Sequence, residues 1–194
     1  MNRDRGQAWL VVLIVEDDSD GRALENLARA SRLPVRIDWL PANGIGNIKR
    51  RAEALIRLAM DRIEHHRGCV AVVVDRDHKD RERDEPHRTI NEACAAKATP
   101  FIEVVEALEA WLLADDGVMS WLGLKARRQT DGISNPKKIV ARAFLKKTKR
   151  SYQKRRSRMQ LAAKATGVKP ERSASWSQAL AHLERCPVEE GDAR

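Results

Sequence analysis

The chain has 194 residues, a length that suits one domain of ordinary size or one domain with an appendage. Hydrophobic residues make up 42% of the sequence, which excludes a fully disordered chain. No apolar run approaches the roughly 20 residues that a membrane-spanning helix needs, and the net charge of +9 favours anionic partners such as nucleic acid.

The cysteines and the N-terminal residues predict a cytoplasmic protein. Cys69, Cys94 and Cys186 are odd in number and far apart, with no CxxC pair, which favours neither a disulfide framework nor a zinc site. The first apolar stretch ends in acids at 16–18, where a secretory signal would carry small residues. We therefore expect a cytoplasmic location and no membrane partner.

The first part of the chain alternates between strand and helix patterns. Apolar, largely β-branched runs predict strands at 9–15, 35–40, 69–74 and 100–105. Apolar residues at helical spacing predict one helix that begins at Ser19 or Asp20. The same spacing predicts three further helices, over 48–63, 89–97 and 106–114. Runs that are apolar on both faces are typical of parallel sheets. The pattern predicts an α/β fold with a mainly parallel four-stranded sheet flanked by helices.

The C-terminal part is strongly basic and carries helix signals. Residues 124–172 contain 17 lysines and arginines and two acidic residues, whereas the rest of the chain contains 20 lysines and arginines and 26 acidic residues. Asn135 and Pro136 predict a helix start, and Ser175 with Gln178 predicts the capping box of a last helix. We expect an α/β domain over 9–120, a basic helical extension over 121–186 and a frayed tail over 187–194.

The densest positive charge lies over 146–158, where the sequence has no acid. This run predicts a surface that binds phosphates, and a solvated helix face or a disordered arm is the alternative. Tyr152 is its only aromatic residue, so we expect little base stacking. Side chains of this kind grip a nucleic-acid backbone without reading its sequence. The expected contacts are Lys146, Lys147, Lys149, Arg150, Lys154, Arg155, Arg156 and Arg158.

Acidic residues follow three of the predicted strands. Glu16 follows the first strand, Asp75 and Asp77 follow the third, and Glu106 and Glu109 follow the fourth. Ligands of open α/β sheets bind beyond the carboxyl ends of the strands. Several carboxylates with few histidines predict an oxygen-ligand site for Mg²⁺, or for Mn²⁺, rather than for Zn²⁺. With a basic surface, such a site is typical of an enzyme that processes phosphodiesters.

Several of the acids near the strand ends also have a plainer interpretation. Glu16 also fits a solvated acid at a strand end, and Asp75 and Asp77 also fit ordinary loop charges. Asp17, Asp18 and Asp20 fit loop acids and helix caps better than metal ligands. Glu106 fits a surface acid as well as it fits a site residue.

The acidic residues also carry a family resemblance. Glu16 after the first strand and Asp75-Arg76-Asp77 after a later one resemble the TOPRIM domain, which topoisomerases of types IA and II, bacterial primases and OLD-type nucleases share. The resemblance implies a Mg²⁺-dependent site that acts on phosphodiesters, with Asp75 and Asp77 as metal ligands and Glu16 as a ligand or general base. One departure is Asp17, which stands where the family often has glycine.

Two further segments narrow the resemblance. Glu109 to Asp115, followed by Asn135-Pro136-Lys137, is similar to small prokaryotic TOPRIM-like proteins related to OLD and RloB, often linked to phage defence. By this likeness Glu109 is a further catalytic acid, and Lys137 stabilises the charge that develops on phosphate. OLD-type nucleases often work beside an ATPase module, so the likeness also implies a partner ATPase chain or a homodimer.

Two other functions fit parts of the sequence. The first strand and its acids also resemble a two-component receiver domain with Asp75 as phosphoacceptor, but the Met-Pro-x-x-x-Gly continuation is missing. A nucleic-acid binder without catalysis would use its acids only for structure. Alanine at Glu16, Asp75 or Asp77 should abolish a nuclease activity and leave a binder's affinity intact. The prediction is a Mg²⁺-dependent nuclease that acts on DNA or RNA.

Overall fold

The computed structural model describes residues 9–78 and 83–185, and its centre is a four-stranded sheet. The strands are β1 (Trp9–Val15), β2 (Val35–Pro41), β3 (Gly68–Asp75) and β4 (Phe101–Val104). They lie in the order β2-β1-β3-β4, and every neighbouring pair is parallel. The predicted α/β class and parallel sheet are confirmed. All four carboxyl ends therefore lie along one edge.

Helices and one 3-10 turn surround this sheet. They are α1 (Asp18–Ala30), α2 (Ile45–Ile63), α3 (His87–Ala95), α4 (Leu108–Leu113), α5 (Asp116–Leu122), α6 (Pro136–Thr148), α7 (Lys154–Ala162), the 3-10 turn Pro170–Arg172 and α8 (Ala174–Arg185). The predicted helix over 106–114 starts two residues late, because Glu106 has a φ of 63°, outside the right-handed helical region.

The central strand β1 supplies side chains to two hydrophobic layers. Val11 and Leu13 face a layer that includes α1, α4 and α8, whereas Val12 and Ile14 face α2 and α3. Successive side chains of a strand point to opposite faces of the sheet. A continuously apolar strand is therefore what a sheet with helices on both faces requires.

The described part of the basic extension packs into the first of these layers. Val140, Phe144 and Leu161 are buried in the same hydrophobic cluster as Val11. Helix α7 packs on α1, α6 packs on α4, and α8 packs on β4. The extension thus shares a core with the sheet, and this packing holds α6 and α7 close to the site described below.

A buried carboxylate, Asp115, ties the extension to the end of α4. Its side chain is 0% exposed. Its Oδ1 accepts a hydrogen bond from the amide of Val118 at 2.9 Å, and its Oδ2 accepts from the amides of Thr166 at 2.9 Å and Gly167 at 2.7 Å. Asp115 also forms an isolated antiparallel bridge with Val168.

Two expectations about the chain's chemistry can be compared with the structure. Cys69 is disulfide-bonded, contrary to expectation, because distance along the sequence does not measure distance in the fold. Cys94 is free and buried, and Cys186 and the tail over 187–194 lie outside the described residues. No helix in the described ranges has the length and apolar character to cross a membrane.

Candidate acidic active site

The carboxyl ends of β1 and β3 bring Glu16 and Asp75 together. Asp75 is the last residue of β3, and its amide donates a hydrogen bond to Oε1 of Glu16 at 3.3 Å. Asp75 is 7% exposed, and its Oδ1 accepts a hydrogen bond from the amide of Leu108 at 2.9 Å. Asp75 ends β3, and Glu16 directly follows the adjacent parallel strand β1, as the sequence predicts.

Asp77 lies just beyond β3 with an exposed side chain. Its backbone is left-handed, with a φ of 46°. Its amide donates to the carbonyl oxygen of Glu106 at 3.0 Å. The Glu106 carboxylate in turn pairs with His78 Nδ1 at 2.6 Å. The loop after β3 and the loop after β4 are therefore joined at the sheet edge.

The ammonium of Lys137 bridges the two aspartates of the motif. Its Nζ lies 3.3 Å from Oδ2 of Asp75 and 2.9 Å from Oδ1 of Asp77. Lys137 is in the first turn of α6, which Asn135 caps by accepting from the amide of Lys138. A lysine there opposes the helix dipole, and the two carboxylates compensate. Burial favours a lower pKa for Lys137, but the aspartates raise its pKa above the usual value.

Asp75 has an unusual protonation equilibrium for an aspartate. Burial and the nearby carboxylates of Glu109 and Glu16 together raise its pKa to about 7, although Lys137 and Lys154 act in the opposite direction. Strong perturbation of this kind in a cluster of charges is common at functional sites.

Glu109 and Arg158 lie in the interior. Both side chains are 0% exposed, and they pair at 2.8 Å between Arg158 Nη2 and Glu109 Oε1. Arg158 shares the inward face of α7 with Leu161 and Ala162, three and four residues further on. Arg158 therefore does not belong to the exposed basic surface that the sequence predicts. Every residue of the short helix α4 is buried, so the carboxylate of Glu109 is not exposed to solvent.

The other predicted nucleic-acid contacts lie mostly on the surface. The exposed members are Lys146, Lys147, Lys149, Arg150, Arg155 and Arg156. Lys154 is less exposed, and its Nζ pairs with Oδ2 of Asp17 at 2.9 Å and with Oδ2 of Asp20 at 3.4 Å. Lys154 thus reaches the acidic edge from α7.

Two of the acids after β1, Asp17 and Asp20, cap helix α1, in line with their plainer interpretation. Asp17 caps α1 by accepting from the amide of Ser19 at 2.8 Å, and Asp20 accepts from the amide of Asp17 at 3.2 Å. Asp18 pairs with Arg22 at 2.7 Å.

Sequence reasoning missed His87 at the start of α3. Its side chain is 1% exposed, and its Nε2 lies 3.0 Å from the carbonyl oxygen of Asp75. The contact supports the end of β3 from the face of the sheet that α2 and α3 cover. A single histidine in a charged stretch carries no signal for this role.

The donor chemistry of this edge suits a hard divalent cation. Asp75 and Asp77 already share one cationic group, the ammonium of Lys137, and carboxylate oxygens are what Mg²⁺ and Mn²⁺ prefer. Glu16 adds a third acid beside Asp75. Across 9–78 and 83–185, no group of three or more His, Cys, Asp or Glu side chains is arranged so that it could hold a metal ion.

No protein-family model matches the chain, and no curated protein matches it. Among solved structures, the chain is similar to the C-terminal region of the OLD protein of Xanthomonas campestris pv. campestris. The TM-score is 0.52 at 16% identity, over 93% of this chain and 96% of that chain. At this identity the likeness shows the fold alone.

Proposed function

We propose that the protein is a Mg²⁺-dependent nuclease of the TOPRIM type that hydrolyses phosphodiester bonds in DNA or RNA. The observation that carries the proposal is the pair Asp75 and Asp77, which share one cationic group at the carboxyl edge of a parallel sheet, with Glu16 beside them. The OLD-like fold and the resemblance of these acids to the TOPRIM motif support it.

Each residue at the edge has a role in this proposal. Asp75 and Asp77 would hold Mg²⁺ or Mn²⁺, and a bound ion of this kind polarises a phosphate oxygen and activates water. Glu16 would serve as a ligand or would accept the proton of the attacking water. Lys137, once released from Asp77, would donate to a phosphate oxygen and stabilise its developing charge.

The exposed basic residues would hold the nucleic-acid backbone. Lys146, Lys147 and Arg156 represent this surface, which no acid of the same run neutralises. Each phosphate contact should add about 0.7–0.9 to the slope of log affinity against log salt. A partner ATPase chain, or a second copy of this chain, and a role in phage defence in the cytoplasm belong to the proposal through the same family resemblance.

The test is cleavage of plasmid, single-stranded DNA and RNA with Mg²⁺, Mn²⁺ or EDTA. Wild type is compared with Asp75→Ala and with Asp61→Ala, whose exposed acid lies near the far end of α2. We expect metal-dependent cleavage that Asp75→Ala lowers by more than about 100-fold, because loss of an outer partner of a metal site already costs 10–100-fold. Asp61→Ala should cleave as the wild type does. Equal cleavage by wild type and Asp75→Ala would contradict the proposal.

A nucleic-acid binder without catalysis is the second candidate. It is favoured by the internal pairing of the acids, since Asp17 pairs with Lys154, Asp77 with Lys137 and Glu109 with Arg158. Acids that are already neutralised need no metal. Salt-sensitive binding with no cleavage by either protein, and no binding of Mn²⁺, would support this candidate.

A further inference from the structure

Arg158 is a cationic side chain with 0% exposure in the middle of α7. Removing a charge from water costs several kcal/mol unless partners of opposite charge surround it, on the order found for buried ion pairs. Burial lowers the pKa of Arg158 to about 10, which still leaves the guanidinium charged at neutral pH. Its partners must therefore account for its place in the interior.

The main partner is the equally buried Glu109. Arg158 Nε donates to Glu109 Oε1 at 3.1 Å, and Nη2 donates to Oε1 at 2.8 Å and to Oε2 at 3.0 Å. The hydroxyl of Tyr152 donates to the same Oε1 at 2.8 Å. Both carboxylate oxygens are thus engaged, and the planar guanidinium supplies the geometry that a lysine lacks.

The same guanidinium also reaches two acids at the sheet edge. Its Nη1 donates to Oδ1 of Asp20, and its Nη2 lies 4.0 Å from Oδ2 of Asp75. One side chain from the extension therefore meets acids from α1, from α4 and from β3.

The contact with Glu109 extends to Asp75 through the backbone. Glu109 follows Leu108 in the first turn of α4, and the amide of Leu108 donates to Oδ1 of Asp75 at 2.9 Å. On the other side, Oδ2 of Asp20 accepts from the amide of Asp17 at 3.2 Å, which closes the turn after Glu16. Arg158 thus braces both the turn after β1 and the end of β3.

We infer that Arg158 is a positioning residue: through Glu109 and Asp20 it fixes the carboxylate of Asp75 and the turn after Glu16, and it does not bind nucleic acid. The inference rests on the proposed function, because the role of Asp75 as a metal ligand belongs to that proposal. Whether Arg158 holds Asp75 and the turn after Glu16 in place can be tested without measuring cleavage. It also gives the buried Glu109 a role that acts through Asp75 and not on the substrate.

The test uses amide hydrogen exchange of the full chain, measured by NMR in EDTA, in wild type and Arg158→Lys. The reporters are the amides of Leu108 and Asp17, and the internal control is the amide of Val118, which donates to Asp115. We expect exchange at both reporters to become at least about tenfold faster, as local opening becomes easier, with the control unchanged. Wild-type exchange at both reporters in Arg158→Lys would overturn the inference.

A paired substitution keeps the test valid if Arg158→Lys does not fold. In Arg158→Met/Glu109→Leu both buried charges are removed together, which proteins commonly tolerate. We expect the same faster exchange at Leu108 and Asp17, and wild-type exchange in the folded double variant would overturn the inference.

Nucleic-acid binding in EDTA separates Arg158 from the exposed basic residues. Arg156→Met should weaken binding and lower its salt slope by about 0.7–0.9, whereas Arg158→Lys should bind as the wild type does. Weaker binding by Arg158→Lys with unchanged exchange at Leu108 would identify Arg158 as a phosphate contact and overturn the inference.

Direct titration with Mn²⁺ links the inference to the proposed function. If wild type binds Mn²⁺, Arg158→Lys should bind it about 10–100-fold more weakly, as for other residues that orient metal ligands. If wild type binds no Mn²⁺, the nuclease proposal fails, and the exchange data still decide whether Arg158 positions Asp75.

Discussion

Asp75 and Asp115 are both buried carboxylates, but their surroundings neutralise them in different ways. Asp115 is 0% exposed and accepts hydrogen bonds from the amides of Val118, Thr166 and Gly167. Asp75 has one amide donor, and its Oδ2 lies 3.3 Å from the side-chain cation of Lys137 and 4.0 Å from that of Arg158. Amides are fixed parts of the backbone, whereas a lysine can move away. In the proposed function, the acid held by the movable cation of Lys137 takes up a metal ion, whereas the acid held by amides serves stability.

The largest expected effect is a loss of protein stability when Asp115, the acid held by amides, is replaced. Asp115→Ala leaves the buried amide of Val118 and the partly buried amides of Thr166 and Gly167 without an acceptor, and a buried group left unpaired costs about 1–3 kcal/mol. We expect the free energy of unfolding to fall by about 3–5 kcal/mol in chemical denaturation followed by circular dichroism. Asp116→Ala is the matched control, because this neighbour pairs with Arg172 near the surface and should cost about 1 kcal/mol or less. Similar losses of free energy of unfolding in the two variants would contradict the view that the amide contacts of Asp115 stabilise the fold.

The next effect is the contribution of Asp75, the acid held by a cation, to the pH dependence of the free energy of unfolding. The folded chain keeps the Asp75 proton up to a pKa of about 7, whereas the unfolded chain releases it near 3.8. Between these values the folded state binds more protons, so stability falls as pH rises, by up to about 1.4 kcal/mol per pH unit. Asp75→Asn has no such proton to lose. Its stability relative to wild type should therefore increase from pH 4 to about pH 7 and then level off.

Denaturation of wild type and Asp75→Asn in EDTA at several pH values measures this difference. EDTA keeps divalent ions from adding their own stabilisation to the wild type. A difference that is constant from pH 4 to about pH 7 would show that Asp75 is ionised throughout, like an exposed acid.

The sheet and the edge acids could be predicted because their signals are local. Continuous apolar runs predict buried parallel strands, and the run Trp9–Val15 forms β1 as expected. Once the strands are parallel, topology alone brings Glu16 and Asp75 to one edge. Those two steps need no knowledge of side-chain packing.

The charged interior could not be predicted, because it depends on partners distant in sequence. Arg158 lies in a run that reads as a solvated basic surface, and its acid partner Glu109 is 49 residues away. Asp115 meets amides 51 and 52 residues further along the chain. Nothing in the local pattern separates these charges from exposed ones such as Arg156, since the burial of a charge is decided by tertiary packing.

The smallest expected effect tests whether the cation beside Asp75 is replaceable. Lys137 is partly exposed, so Lys137→Met should lower the free energy of unfolding by about 1 kcal/mol or less, the usual worth of such a pair. Lys138→Met, in the same helical turn and exposed, is the matched control. The measurement is the denaturation used for Asp115→Ala. If Lys137→Met lowers the free energy of unfolding as much as Asp115→Ala does, Lys137 is a structural partner of Asp75. The distinction between the two acids would then fail, because Lys137 would hold Asp75 as firmly as the amides hold Asp115.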